Sequence, residues 1–108
     1  MITVKLYYQD ERLTGIESIG HSGYSRRGSD IVCAAVSTLM QALILGLEDI
    51  AKVSGLNVEA DERVPIIRVT WPESEQERIS LLTDTTASSL KQIALENPKY
   101  VKILTEEK

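Results

Sequence analysis

The sequence predicts an α+β protein: a mostly antiparallel sheet of four to five strands with two helices packed on one face, in the order ββαββα(β). Two observations lead to this fold class. Short segments in which apolar and polar residues alternate come in pairs, which is typical of half-buried strands joined as neighbours. Each pair is followed by a longer segment of helical length, so the helices fall between the pairs and share one face of the sheet.

The first pair of strands covers residues 2–8 and 13–20. A polar turn at residues 9–12 joins them, which predicts a hairpin that delivers the following segment to one edge of the sheet. Gly15 is a candidate β-bulge in the second strand. The residues of the first strand that alternate onto the inner face are Ile2, Val4, Leu6 and Tyr8.

A long helix is predicted from about Asp30 to Lys52. Ser29 and Asp30 are good N-cap residues, because their side-chain oxygens can accept from the free N–H groups of a first turn. Residues 31–47 carry no charge, but this run is short for a membrane span and contains polar residues, so a buried helix is predicted. The middle of the helix is apolar nearly all round, whereas a helix on a sheet needs one apolar stripe. We therefore expect a homodimer in which a second copy covers the surplus.

The second half of the chain repeats the pattern. Residues 56–60 and 67–71 alternate as two further strands, and Pro65 fits the start of the second of them. Ser74 and Glu77 have the spacing of a capping box, which predicts a second helix from near Glu75. The polar residues 83–89 leave its continuity open. We expect a final strand at residues 100–104 and a frayed tail at 106–108. The predicted inner face of the second helix comprises Ile79, Leu82, Thr86, Leu90 and Ile93.

Composition limits the classes of function. At 108 residues the chain is expected to form one domain over residues 1–108. Its net charge of −4 argues against direct nucleic-acid binding, which needs a basic face. A single cysteine excludes an internal disulfide and fits the cytoplasm, and the N-terminus lacks the order of a signal peptide, so no membrane partner is expected. One histidine and one cysteine cannot supply a structural zinc site, and no phosphate-loop motif occurs; no metal or cofactor is therefore predicted.

The candidate active site contains the only histidine and the only cysteine of the chain, His21 and Cys33, twelve positions apart. In the first turn of a helix, free N–H groups and the helix dipole stabilise a thiolate. We therefore expect Cys33 to be the nucleophile and His21 its acid–base partner. The polar loop between them is a candidate substrate loop, comprising Ser22, Gly23, Tyr24, Arg26, Arg27, Gly28 and Ser29.

Neighbouring residues have candidate supporting roles. Asp30 is expected either to cap the helix or to orient the imidazole ring. Ser37 lies one helical turn after Cys33 on the same face, where it can position the thiol or the substrate. The backbone N–H groups of Cys33 and Ala34 are candidates for an oxyanion hole.

Residues 20–21 (GH) and 28–37 (GSDIVCAAVS) resemble the signature of the ribosomal-processing cysteine proteases known as Prp. The resemblance implies a homodimeric enzyme that removes a short N-terminal extension from bacterial large-subunit ribosomal protein twenty-seven, cutting after an aromatic residue. It also implies a catalytic dyad of His21 and Cys33. The glycine, aspartate and serine of the motif correspond to Gly20, Asp30 and Ser37. Ser22 departs from the family, which usually has alanine after the histidine.

Two other hypotheses stay open at this point. A lone cysteine in a helix is often a small buried hydrophobe, and a lone histidine is often a surface residue. The chain would then be a non-catalytic, dimeric ribosome-associated binding protein with a structural thiol. A redox-sensing thiol is the third hypothesis, although the chain has no resolving cysteine. Arg26 and Arg27 are expected to be solvated loop charges rather than a clamp on the substrate.

Overall fold

The computed structural model describes residues 1–20, 27–61 and 63–108, with the backbone alone for residues 27–30. The α+β class and the order ββαββα(β) are confirmed within these ranges. The elements in chain order are β1 (Ile2–Gln9), β2 (Arg12–Ile19), α1 (Arg27–Leu45), a π-helical turn (Gly46–Ile50), β3 (Asn57–Asp61), β4 (Ile66–Thr70), a 3-10 turn (Glu73–Glu75), α2 (Gln76–Glu96) and β5 (Val101–Glu107).

The five strands form one sheet in the order β3-β4-β2-β1-β5. All neighbours are antiparallel except β1 and β5, which run parallel. The register puts Leu6 beside Ile16 and Ile16 beside Val69, so the apolar residues of three strands share one face. Both helices pack on this face. Their buried apolar residues are Val32, Val36, Met40 and Leu43 from α1 and Ile79, Ala87 and Leu90 from α2, and Leu47 of the π-helical turn joins them.

Helix α1 begins at Arg27, three residues before the predicted start. Ser29 and Asp30 therefore lie inside the helix, and the prediction that they occupy the N-cap position is wrong. Polar residues that suit an N-cap are also tolerated within a first turn, so their presence does not fix the first helical residue. Cys33 lies in the second turn as a consequence.

The surface of α1 has a buried side and an exposed side. Val36, Met40 and Leu43 are buried in the core, and Gly46 in the turn after α1 packs against Leu82 of α2. By length and composition the segment Ile31–Ile50 could cross a membrane, a criterion that the core helix of a soluble protein also meets. The exposed side, which we call the outer stripe, consists of Ile31, Ala34, Thr38, Ala42 and Leu45.

Helix α2 runs unbroken through the polar segment whose continuity the sequence left open. Thr83 and Thr86 are buried, and their hydroxyls donate to the carbonyls of Ser80 and Leu82. Hydroxyls that bond to a preceding turn need no other partner, so these threonines can enter the core. The predicted capping box is not formed. The residue before α2 is Glu75, which makes no side-chain capping hydrogen bond.

The C-terminal residues were predicted to fray, and this prediction is wrong. Strand β5 continues to Glu107, which pairs with Tyr8 of β1, and the N–H of Lys108 donates to the Tyr8 carbonyl at 2.9 Å. Glu106 forms an ion pair with Lys5 at 3.5 Å. A parallel partner on β1 thus satisfies backbone groups that would otherwise face solvent.

The irregularity of the hairpin lies next to Gly15, as predicted. Tyr7 pairs with Gly15 and Tyr8 with Leu13, so Thr14 is the extra residue of the bulge. A Cβ on Gly15 would lie 2.8 Å from the side chain of Thr70. Glycine is therefore needed here for the close approach of β4, rather than for the bulge itself.

Candidate active site

Cys33 is half-buried and lines a cavity of about 500 Å³ between α1 and the sheet. The residue packs against the core on one side and opens onto the cavity on the other. A thiol at such a boundary can meet a substrate, whereas one enclosed by the core cannot. The position of the cysteine is therefore compatible with a nucleophile.

Gly20 ends the hairpin on the wall of the same cavity. Its N–H donates to the carbonyl of Pro65 at 2.8 Å, which anchors the end of β2 to the segment before β4. Its φ of +89° lies in the region that favours glycine, and a Cβ here would lie 2.8 Å from the carbonyl oxygen of Met1. The chain thus leaves the sheet beside the cavity, one residue before His21.

We expect Gly20→Ala to lower the free energy of unfolding by about 1–3 kcal/mol, because the added Cβ meets backbone atoms in an unfavourable conformation. Thermal or urea unfolding measures this change. Gly46→Ala is the matched control. A Cβ there would meet the end of the Leu82 side chain, 2.6 Å away, which can move aside. A Gly20→Ala protein as stable as the parent would contradict the inferred strain.

Ser37 lies on the cavity wall one helical turn after Cys33, as the spacing predicted. Its Oγ accepts a hydrogen bond from Nε2 of Gln41 at 3.3 Å. This contact fixes a donor at the Ser37 oxygen and leaves the hydroxyl proton available to a further acceptor. The three side chains follow one another along one side of α1.

The sheet contributes cavity walls that the sequence analysis did not single out. The additional lining residues come from the ends of four strands and from the middle of α1. Gln41 and Ile44 could have been found, because they continue the helical spacing of Cys33 and Ser37. The strand residues could not, since their proximity depends on the order of strands in the sheet. They are Ile2, Ser18, Ala60, Asp61, Pro65, Ile66 and Ile67.

Several predicted site residues lie outside the described residues: His21, Ser22, Gly23, Tyr24 and Arg26. For Arg27, Gly28, Ser29 and Asp30 the structure gives the helical backbone only. Arg27, Gly28 and Ser29 therefore belong to α1 and not to a loop, and neither Ser29 nor Asp30 is the N-cap residue. The remaining roles of these residues stay predictions.

The helix start at Arg27 changes the surroundings of the predicted oxyanion hole. In a helix that begins at Arg27, the N–H groups of Cys33 and Ala34 donate to carbonyls four residues earlier. They become available to a substrate only if the first turns of α1 open. The oxyanion role of these groups therefore stays a prediction that requires movement.

Among the described residues that line the cavity, the charged one is Asp61, at the end of β3. Its carboxylate accepts from the backbone N–H of Arg63 at 2.9 Å and lies 3.6 Å from the Arg63 guanidinium. Among the residues that the structure describes, no three metal-binding side chains converge.

Comparison with known proteins identifies the class of protein. A family model described as cysteine protease Prp matches residues 1–102, nearly the whole chain. The match thus assigns the chain to a family of cysteine proteases. The chain belongs to the Prp family. No curated protein matches it.

Solved structures with the same fold include SMU.848 from Streptococcus mutans, which has a TM-score of 0.88 and 27% sequence identity, covering 100% of this chain and 96% of that chain. The essential ribosomal processing protease Prp from S. aureus, in complex with a substrate peptide, has a TM-score of 0.84 and 22% identity, covering 98% of this chain and 100% of that one. The same protease with a covalently linked product peptide has a TM-score of 0.85 and 21% identity over the same shares.

Proposed function

We propose that this chain is a cysteine endopeptidase that uses Cys33 as nucleophile and His21 as acid–base partner. The observation that carries the proposal is the shared cavity. Cys33 opens onto it from α1, and Gly20, the residue before His21, opens onto it from the sheet. The backbone therefore reaches the wall of this cavity one residue before His21 in the sequence. Membership of a cysteine protease family supports this hypothesis over a binding protein with a structural thiol.

The reaction follows the general scheme of thiol proteases. His21 takes the proton of Cys33, and the thiolate attacks the carbonyl carbon of the scissile bond to form a tetrahedral oxyanion. The oxyanion collapses to a thioester as the C–N bond breaks, and His21 gives its proton to the leaving amine. A water molecule, deprotonated by His21, then attacks the thioester and releases the acid and the thiol. The covalently linked product in the S. aureus enzyme supports a covalent step here.

The substrate that we propose is the N-terminal extension of large-subunit ribosomal protein twenty-seven, cut after an aromatic residue. The S. aureus relative is a ribosomal processing protease, which supports this assignment. The cavity has room for a large apolar side chain, and its walls include Val36, Ile44 and Ile67. The acidic net charge of the chain suits the basic tail of a ribosomal protein.

The test is to incubate the chain with the ribosomal protein carrying its extension and to follow the mass of the product. We expect a single shortened product. A substrate that already lacks the extension should keep its mass. Alkylation of the thiol separates the alternatives. If Cys33 is an activated nucleophile, it is alkylated well below pH 8. A structural thiol is alkylated only as the pH approaches about 8.5, the pKa of a free cysteine. No shortened product together with alkylation only at alkaline pH would contradict the proposal.

We also propose that the enzyme is a cytoplasmic, single-domain protein that forms a homodimer through the outer stripe of α1. The stripe is uncharged over its whole length, and its ends are large apolar residues, with Ile31 71% and Leu45 54% exposed. Contiguous apolar surface of this kind is typical of protein interfaces. A second copy would cover what α2 leaves open.

The protein is expected to sediment as a dimer at micromolar concentration. Leu45→Glu is expected to convert the dimer to the monomer, because the substitution would bury a charge in the interface. Leu95→Glu is the matched control. Leu95 is 75% exposed on α2 and is not part of the outer stripe, so its substitution should leave the dimer intact. A parent protein that sediments as a monomer would contradict the proposal.

A further inference from the structure

A line of partly exposed residues runs along one side of α1 from the cysteine to the following π-helical turn. Cys33, Ser37, Gln41, Ile44 and Glu48 are separated by four, four, three and four positions, which is the spacing of residues on the same side of a helix. Each of them is half-buried or exposed. This line therefore lies between the buried side of α1 and the outer stripe.

Two cavities meet along this line. The cavity of about 500 Å³ that contains Cys33 includes Gln41 and Ile44 in its wall. The same two residues line a second cavity of about 230 Å³, together with Glu48, Asp49 and Leu45, and this cavity therefore borders the outer stripe. The two cavities therefore adjoin along α1, and we call them together the α1 groove. It extends from the wall at Cys33 to an acidic end.

The acidic end is open to a charged partner. Glu48 and Asp49 are exposed, and within the described ranges neither carboxylate forms an ion pair or a side-chain hydrogen bond. No charged residue lies on α1 between Ile31 and this turn to neutralise them. Two adjacent carboxylates at the end of a groove attract a lysine or arginine side chain.

We propose that the α1 groove binds the extended part of the substrate, and that Glu48 and Asp49 select a basic residue in it. The proposal rests on the proposed role of Cys33 as nucleophile. Glu48 is fifteen positions after Cys33, which corresponds to about 22 Å at 1.5 Å per helical residue. An extended peptide rises about 3.3 Å per residue. The basic residue should therefore lie about six or seven residues from the scissile bond.

The experiment measures peptide binding to the Cys33→Ala protein by fluorescence anisotropy. The peptides span the cleavage site of the ribosomal protein and carry one lysine, placed in turn from three to nine residues before or after the scissile bond, with glutamine at the other scanned positions. The tightest binding is expected for lysine about six or seven residues away on one side. The affinity of that peptide should exceed the affinity of the all-glutamine peptide by about three- to tenfold, as expected of one or two exposed ion pairs.

Charge reversal in the protein provides the decisive comparison. With Glu48→Lys and Asp49→Lys together, the preference for lysine should disappear and a peptide with glutamate at the same position should bind better. Glu48→Gln with Asp49→Gln should remove the preference without reversing it. The matched control is Glu73→Lys with Glu77→Lys, which changes the net charge equally at exposed positions outside the groove. This control should keep the lysine preference at the same position.

A lysine preference that survives the reversal at Glu48 and Asp49, or that is equal at every peptide position, would overturn the proposal. The same peptides given to the unmutated protein test the proposed function separately. Peptides that are cut by the cysteine without any positional preference would refute the groove and support the protease. Peptides that bind with the expected preference but are never cut would refute the protease and support the groove.

Discussion

Cys33→Ala is expected to lower the rate of substrate cleavage by at least about 10³-fold, with little change in peptide binding. In the proposed mechanism the Cys33 thiolate forms the bond to the substrate carbonyl, so its loss removes the covalent pathway altogether. His21→Ala is expected to have a comparable effect, because a nucleophile and its base act as a unit. The decrease is measured as kcat/KM on the ribosomal protein or on a peptide of its extension.

Two further variants show whether the loss is chemical. Cys33→Ser keeps the size of the side chain but supplies a poor nucleophile, so it should be nearly as inactive as Cys33→Ala. Ser88→Ala, at an exposed position on α2, should cleave like the parent. Cleavage that persists in a folded Cys33→Ala protein would show that another group attacks the substrate.

The second large effect concerns a row of alternating charges on the side of the sheet that faces away from the helices. The strand register aligns Lys5, Glu17, Arg68 and Glu59 across four strands. Glu17 is fully buried, and its Oε1 accepts from Nε of Arg68 at 2.6 Å. Nη2 of Arg68 contacts the same Glu17 oxygen, and Nη1 of Arg68 donates to Oε2 of Glu59 at 3.0 Å. The hydrogen bond and the charge of Glu17 raise the pKa of the Arg68 guanidinium.

Arg68→Ala is expected to lower the free energy of unfolding by about 2–4 kcal/mol. It leaves the Glu17 carboxylate buried without its counter-charge, while the 38% exposure of the Arg68 side chain keeps the loss below that of a fully buried pair. In the described part of the chain Oε2 of Glu17 already lacks a hydrogen-bond partner. Urea unfolding, with the slope checked for two-state behaviour, measures the loss.

Variants of the two glutamates separate the buried charge from general packing. Arg68→Ala combined with Glu17→Gln should be more stable than Arg68→Ala alone, because the uncompensated charge is removed. Glu59→Gln should lower the free energy of unfolding by less than about 1 kcal/mol, since the Glu59 carboxylate is half exposed. Equal stabilities for Arg68→Ala and Glu59→Gln would show that burial of Glu17 does not govern the effect.

The strands and helices were predictable where one periodicity dominates. The alternation of Ile2, Val4 and Leu6 predicted β1, and the helical spacing of Ile79 and Leu90 predicted the inner face of α2. Burial of one face places apolar residues at the period of the strand or helix, so the sequence shows it. Local signals were less reliable at element ends. The polar residues Ser29, Asp30 and Ser74 suggested caps that the structure does not use, since such residues are also accommodated inside first turns.

The parallel pairing of β5 with β1 could not be predicted from the sequence, for a physical reason. Residues 106–108 are charged and read as a solvated tail, but their backbone groups pair with a strand about a hundred positions away in the chain. Backbone hydrogen bonding carries no side-chain signal, so only the packed sheet reveals it. The same holds for the row of charges that buries Glu17, which depends on the register of four strands.

The sequence by itself determined the fold class, the family signature and the pairing of a single cysteine with a single histidine as the candidate chemistry, because residue types and local periods carry that information. The tertiary structure alone decided that Cys33 lies in the second turn of its helix, that strands from both halves of the chain wall its cavity, and that a groove leads from it to Glu48 and Asp49. These features arise from the order and register of the strands and from where α1 lies on them. Contacts between distant segments set that arrangement, and no local pattern encodes them.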